Sequence, residues 1–272
     1  MALAQRGLSP AQSTLELTWW GTAGFRVAGP SGVFLIDPFL SRNPSARPIL
    51  DLKPGQVREA DQIFISHGQF DHLLDVPAIA GQTRARVYCD ATPAQTLIRE
   101  GLPASGITRV EEGRGVLDLG WYRAKARPSR HVRFDLPLVL KTLIRVNRRF
   151  FSLLPLARDY PAGRVLSWRF ETGGLVLRHF GSAGSGSEEL ADLAEEKIDV
   201  LLLPLQGHSR ICRIALEYVR ILKPGLVIPH HWDDFYPPLS QLVDIRPFLE
   251  AIRGAAAEVE VKVPRIGRPF RI

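Results

Sequence analysis

Three side chains able to hold a metal ion, His67, Asp71 and His72, fall within the six residues 67–72, directly behind the apolar run QIFIS at 62–66. A compact run of that length reads as a buried strand. Strand ends are where α/β proteins assemble sites, because the sheet fixes position while the loop frees the side chain. Neutral imidazole and carboxylate are the usual ligands of zinc, manganese and iron. The chain has to fold so that this loop meets further ligands. Five of its seven histidines (His67, His72, His131, His179, His208, His230 and His231) fall at or just beyond expected strand ends.

The order of elements narrows the architecture. TLELTWW (14–20), GFRVAG (24–29) and GVFLID (32–37) are β-rich, separated by Gly or Pro, and read as an antiparallel meander. After QIFIS, RVYCD (86–90) is a strand. TPAQTLIREG (92–101) is a helix, with Thr92 as cap, Pro93 in the first turn and Gly101 at the stop. ITRVEEG, GVLDL and WYRAKAR are short strands. RVLSWRFE (164–171) and LVLRHFG (175–181) form a hairpin around Thr172, Gly173 and Gly174. Then follow helix SEELADLAEEK, strand IDVLLLPL, helix ICRIALEYVRIL, strand GLVIPH, helix QLVDIRPFLEAIRG and the run VEVKVP. Two packed sheets with helices outside satisfy this order. At 272 residues and 45% hydrophobic, the chain can build one large core or two fused halves.

Other classes are set aside on composition. The start MALAQRGLSPAQS has no long apolar stretch behind a basic beginning, so no secretory signal is expected. No run of about 18 uncharged apolar residues exists to span a membrane. Cys89 and Cys212 are isolated and make neither a disulfide framework nor a zinc knuckle; both are expected as small buried hydrophobes. Cytoplasmic residence is the default expectation.

The loop SHGQFDHLLD (66–75) resembles the HxHxDH signature of the metallo-β-lactamase superfamily, and more narrowly the branch holding ascorbate-6-phosphate lactonase and uncharacterised metal-dependent hydrolases. LTWWGTAGFRV and FLIDPFL resemble the opening of that branch. HFGSAG falls where relatives carry a GD[ST]G-type turn, and VLLLPLQGH and LKPGLVIPHHWDDF resemble its closing strands. The resemblance spans nearly the whole chain. It implies a four-layer αββα sandwich, with 1–272 as a single domain.

Carried over residue by residue, the resemblance implies His67 and His131 as ligands of a first metal position. Asp71, His72 and His231 would serve a second, with His230 as the alternative to His231. Two departures matter. Gln69 stands where a histidine belongs, and Ser182 where an aspartate bridges two ions. An amide oxygen is a weak ligand and a serine hydroxyl a poor bridge, and without the anionic bridge two dications repel at close range. About one divalent ion per chain is expected, zinc first, with manganese or iron as alternatives. The implied activity is hydrolysis of an ester, lactone, amide or phosphoester of a small-molecule substrate by a metal-bound water. Asp71 would hold metal and could take up a proton. The alternative is a non-catalytic or weakly active relative with a degenerate dinuclear site. Asp37 is expected to orient a ligand histidine, and His208 to meet substrate or lie in a surface loop. His179 is expected to pack, and Asp233 and Asp234 to cap or turn the chain.

Net charge is +7, and residues 121–150 carry nine Lys or Arg against Asp135 alone. Within a basic insertion at about 132–160, LPLVLKTLIRVNRRFFSLLP (136–155) has helical periodicity. Lys141, Arg145, Arg148 and Arg149 share one face; Leu140, Leu143, Ile144, Phe151 and Leu154 share another. One helix of about 18 residues is expected at the mouth of the site, since it follows His131. Either its apolar side packs on the protein or a second subunit, or it forms a lid that meets a membrane surface or guides an anionic, partly apolar substrate. No nucleic-acid-binding motif accompanies the basic run, so no nucleic acid is expected as a partner.

Overall fold

The computed structural model of the chain describes residues 15–110, 115–145 and 153–272. Strands β1 (Glu16–Gly21), β2 (Gly24–Gly29) and β3 (Gly32–Ile36) form the expected antiparallel meander. β4 (Gln62–Phe64), β5 (Arg86–Cys89) and β6 (Ile107–Arg109) extend it in parallel. A second sheet runs from β7 (Leu117–Asp118) through β8 (Arg123–Ser129), β9 (Val165–Thr172) and β10 (Leu175–Phe180), all antiparallel, to the parallel strands β11 (Val200–Pro204), β12 (Leu226–His230) and β13 (Glu260–Val261). The last strand, β14 (Pro269–Arg271), returns to the first sheet beside β1, so each sheet has seven strands.

Side-chain alternation with period two makes the layers. On β11, Val200 and Leu202 face the opposite sheet while Leu201 and Leu203 face helices, and such double burial suits its continuous apolar sequence. Between the sheets Trp19, Phe25, Phe34, Phe64, Trp168 and Phe170 form an aromatic-rich core, and Trp168 Nε1 donates to Ile65 O across it at 3.0 Å. Helices α2 (Val76–Thr83) and α3 (Ala91–Arg99) cover the first sheet through Ile79 and Leu97 on Leu35, Ile63 and Val87. Helices α6 (Ser187–Ala194), α7 (Ile211–Leu222) and α8 (Arg246–Ala255) cover the second through Leu190, Val219 and Phe248 on Leu201, Leu203 and Val227. These are the four layers of an αββα sandwich.

Four local expectations change. The ligand run contains a single helical turn, α1 (Phe70–Leu73), rather than loop throughout. The last helix begins at Arg246 and not at Gln241, with Pro247 in its first turn and the Asp244 carboxylate accepting the Arg246 N–H at 3.1 Å. Cys212 is half-buried, whereas Cys89 lies in the core as expected. The expected helix over 136–155 is α4 (Leu136–Ile144), with a separate α5 (Leu153–Asp159); Arg148, Arg149 and Phe151 lie outside the described residues. Helix α4 closes because the Arg145 N–H turns back to Thr142 O at 3.0 Å, a tightened last turn that ends the ladder. None of its residues is buried and only Leu138 and Thr142 are half-buried, so most of its apolar side does not pack on this chain.

Parallel β3 and β4 end together at one edge, as do parallel β10, β11 and β12 in the facing sheet. Open α/β sheets assemble sites outside such carboxyl ends.

Candidate metal centre

The candidate residues come from the ends of five strands. Asp37 follows β3, Ser66 to His72 follow β4, His131 follows β8, Ser182 follows β10 and His231 follows β12. The fold brings Asp71, His72 and His231 together with one ligand atom from each inside 4.8 Å of the others, all three buried. Asp71 Oδ2 lies 3.3 Å from His231 Nε2 and 3.6 Å from His72 Nε2. His72 Nδ1 donates to Asp37 Oδ2 at 2.9 Å, which fixes the tautomer and turns the Nε2 lone pair toward Asp71. His231 Nδ1 is buried with no hydrogen-bond partner.

The charges suit a cation. Burial pushes the His72 imidazole down to about 3, against the pull of Asp71, so at neutral pH it is an unprotonated ligand. Burial raises the Asp71 carboxyl, but His72, His231 and His67 together outweigh it and hold the group below the ordinary carboxylate range. His231 goes the other way: burial lowers it, and the hydrogen bond and charge of Asp71 lift it above the usual imidazole value. A buried carboxylate with two imidazoles fits a divalent ion.

The other expected position differs. His131 Nδ1 sits 2.7 Å from Val132 O, which can only accept, so that nitrogen carries the proton and Nε2 the lone pair. Ser66 Oγ gives its proton to Asp37 Oδ2 at 2.5 Å and therefore accepts from His67 Nδ1 at 2.9 Å, leaving a lone pair on His67 Nε2 too. Both lone pairs converge on the Gln69 amide, whose Oε1 lies 3.1 Å from His67 Nε2 and 2.9 Å from His131 Nε2. Turned by 180°, the same amide offers one N–H to each imidazole and satisfies both without an ion. Ser182 Oγ is engaged elsewhere, accepting the Val132 N–H at 2.9 Å.

A buried frame surrounds the cluster. Thr22, Asp37 and His231 all adopt positive φ, at 45°, 40° and 54°. Such backbone persists only where its surroundings over-determine it. Those surroundings are visible here: the His231 N–H donates to Thr22 O at 2.8 Å. The Thr22 N–H donates to the fully buried Asp233 carboxylate at 2.9 Å, and Arg42 Nη2 pairs with that carboxylate at 2.8 Å. Gly21 leaves room for Arg42, since a Cβ there would collide with its guanidinium. On the first sheet, a Cβ at Gly181 would collide with Ser66 Oγ, so the turn after β10 presses on the Asp37–Ser66 pair.

The remaining candidates are not among the three residues whose ligand atoms converge. His179 is buried and donates from Nε2 to Ala23 O at 3.0 Å; His230 stacks on it with ring centroids 5.1 Å apart. His208 accepts the Arg210 N–H at 3.0 Å and lies 3.6 Å from Asp135. Asp234 accepts from Ser240 Oγ at 2.6 Å. Sequence reasoning missed Ser66, Thr22 and Arg42. Only Gly21 before Thr22 carried a signal, as punctuation between strands.

A carboxylate and two imidazoles at the joint edge of two facing sheets could hold a metal ion, as the resemblance to the metallo-β-lactamase superfamily implies. The chain belongs to that superfamily, since the model of the β-lactamase superfamily domain matches residues 33–232. It is similar to a UPF0173 metal-dependent hydrolase of Anaeromyxobacter dehalogenans, 28% identical over 95% of this chain and 87% of the relative. A relative of the same description from Myxococcus xanthus is 31% identical over 86% of this chain and 76% of its own. Among solved structures, the metallo hydrolase Igni18 of Ignicoccus hospitalis shares the fold at a TM-score of 0.70 and 21% identity, covering 95% of this chain and 98% of that one.

The buried imidazoles make the metal-free protein acid-sensitive. His72 and His179 stay neutral in the fold down to about 3 and about 4, held there by burial. In the unfolded chain both protonate near pH 6.5. The unfolded state therefore binds more protons below that value, and stability falls as pH drops from about 6.5 toward 4. At pH 5 the loss is on the order of 2 kcal/mol for each of the two imidazoles. Urea denaturation of metal-free protein should show a lower midpoint at pH 5 than at pH 7.5. An unchanged midpoint would mean that these imidazoles protonate freely within the fold.

Proposed function

We propose that this chain is a metal-dependent hydrolase with one divalent ion, zinc first with manganese or iron as alternatives, held by Asp71, His72 and His231. The observation that carries this reading is the convergence of their three buried ligand atoms within 4.8 Å. The name metal-dependent hydrolase carried by the relatives supports it. Such an ion supplies Lewis acidity and brings a coordinated water toward neutral pKa. The chain's own groups do the rest. Asp37 holds the proton of His72 on Nδ1. Asp71, whose Oδ2 lies nearest His231 and His72, would hold the ion and could take up a proton. His67, His131 and Gln69 form a linked polar group that would contact the electrophile or leaving group.

The substrate is a small ester, lactone, amide or phosphoester. Exposed Arg133 and Phe134, the latter with its ring 5.6 Å from that of His131, favour one that is anionic and partly apolar. Helix α4 adds a surface suited to an amphiphile or to the membrane it comes from. Three contiguous cores support one domain over 1–272, with 132–160 inserted between β8 and β9. No helix among the described residues is long and apolar enough to cross a membrane. Two free cysteines are in keeping with cytoplasmic residence.

A second reading is favoured by Gln69 satisfying two imidazoles and by Ser182 Oγ being tied to Val132. The protein then holds its ion without turnover. Elemental analysis of gently purified protein, with a mixed ester, lactone and phosphodiester panel, separates the two. The hydrolase reading expects about one ion per chain and turnover of one class. One ion without turnover of any class supports the second reading.

His72→Ala should lose metal well beyond the roughly 10–100-fold that losing an outer partner costs, with the circular dichroism of the fold retained. Full metal content in that variant would overturn the ligand assignment. Gln69→His with Ser182→Asp should raise stoichiometry toward two. A folded double variant that takes up no additional ion under saturating metal would show that these two positions do not correspond to the missing ligands.

A further inference from the structure

Large hydrophobic side chains stand out in solvent at eleven described positions, and six of them fall between residues 134 and 144. Phe134 is 60% exposed, Leu136 68%, Leu143 56% and Ile144 87%, with Val139 and Leu140 between them. Helix α4 buries none of its residues. A surface helix ordinarily turns its apolar stripe inward; this one turns it out. An apolar patch of this kind on a protein surface marks an interaction site. Arg145 Nη1 reaches Gln241 Oε1 at 3.3 Å, which brings the segment holding exposed Leu242 up to the end of α4.

The charges around the patch say what covers it. Arg133, Lys141 and Arg145 are exposed along it. The one acid between residues 133 and 145 is Asp135, which caps α4 and is engaged by the backbone N–H and hydroxyl of Ser209. An anionic partner therefore meets three cations and no free carboxylate on this segment. A second copy packed about a two-fold axis would set this basic patch, with Arg133, Lys141 and Arg145, against the same basic patch. A bilayer carrying anionic headgroups takes both parts, aliphatic side chains into the acyl boundary and cations at the headgroups.

We infer that α4, with Phe134 and Leu242, docks this chain on an anionic lipid bilayer. The Phe134 ring is 5.6 Å from the His131 ring, and α4 is tied to the loop after β11 at Asp135–Ser209 and to the loop after β12 at Arg145–Gln241. Docking by this helix therefore brings the rim of the metal centre to the membrane surface. The docking stands on exposure and charge alone, and it holds or fails separately from the hydrolase reading.

The test is co-sedimentation of the full chain with vesicles of phosphatidylcholine alone or mixed with phosphatidylserine, at low and high salt. The wild type should sediment with the mixed vesicles at low salt and much less with neutral ones. Lys141→Gln with Arg145→Gln should weaken binding roughly thirtyfold, at about fivefold for each cation near the surface, and high salt should mimic the change. Leu140→Ser, Leu143→Ser and Ile144→Ser together should abolish binding, with circular dichroism and metal content unchanged. No sedimentation of the wild type with anionic vesicles at low salt would overturn the proposal. So would binding that survives the triple serine variant. A triple variant that only converts a dimer to a monomer would assign the patch to a second copy and overturn it as well.

Discussion

The Asp37 carboxylate, with no exposure to solvent, is the contact on which the centre depends. It accepts from the backbone of Ser66 at 2.7 Å, from the hydroxyl of Ser66 at 2.5 Å and from His72 Nδ1 at 2.9 Å. Those bonds join the ends of β3 and β4 and settle which nitrogen of His67 and of His72 is free. Burial lifts the Asp37 carboxyl above its ordinary range, and His179, His67 and the Ser66 hydrogen bonds oppose that rise. A carboxyl placed there without these partners would be costly. With them, it orients two imidazoles at once.

The second sheet reaches the same place through a different device. His231 leaves β12 in a left-handed conformation. Its amide is held by Thr22, Thr22 by Asp233, and Asp233 by the buried Arg42. A turn of the first sheet therefore positions a residue of the second. His179 adds another tie, from β10 to Ala23 in the same turn. The aromatic core between the sheets keeps these partners in register: Phe64 lies two residues before Ser66, and Trp168 bonds the backbone of Ile65. Packing of the sandwich and geometry of the centre are thus one problem, solved by the same strand ends.

Most of the sandwich could be read from the chain because strand alternation and glycine or proline punctuation are local signals. The meander, the β9–β10 hairpin and helices α3, α6 and α7 follow from them directly. Asp37, His67, Asp71, His72, His131 and His231 were legible as candidates because they sit beside recognisable strands. Their grouping was not local. Thr22 and Asp233 are 211 residues apart in sequence, and nothing in either neighbourhood announces the bond. Periodicity also read α4 as part of a longer helix and left open whether its apolar side packs or faces out. It cannot show that the ladder closes at Arg145 or that no layer covers Leu140, Leu143 and Ile144.

One ion between Asp71, His72 and His231, with Gln69 satisfying the imidazoles that would otherwise hold a second, is the central claim. X-ray absorption at the metal edge of protein purified with its native ion reads that arrangement directly. The account predicts a shell with two imidazole nitrogens and carboxylate oxygen, and no metal neighbour. A second metal at the roughly 3.5–4 Å separation of a paired site would contradict it.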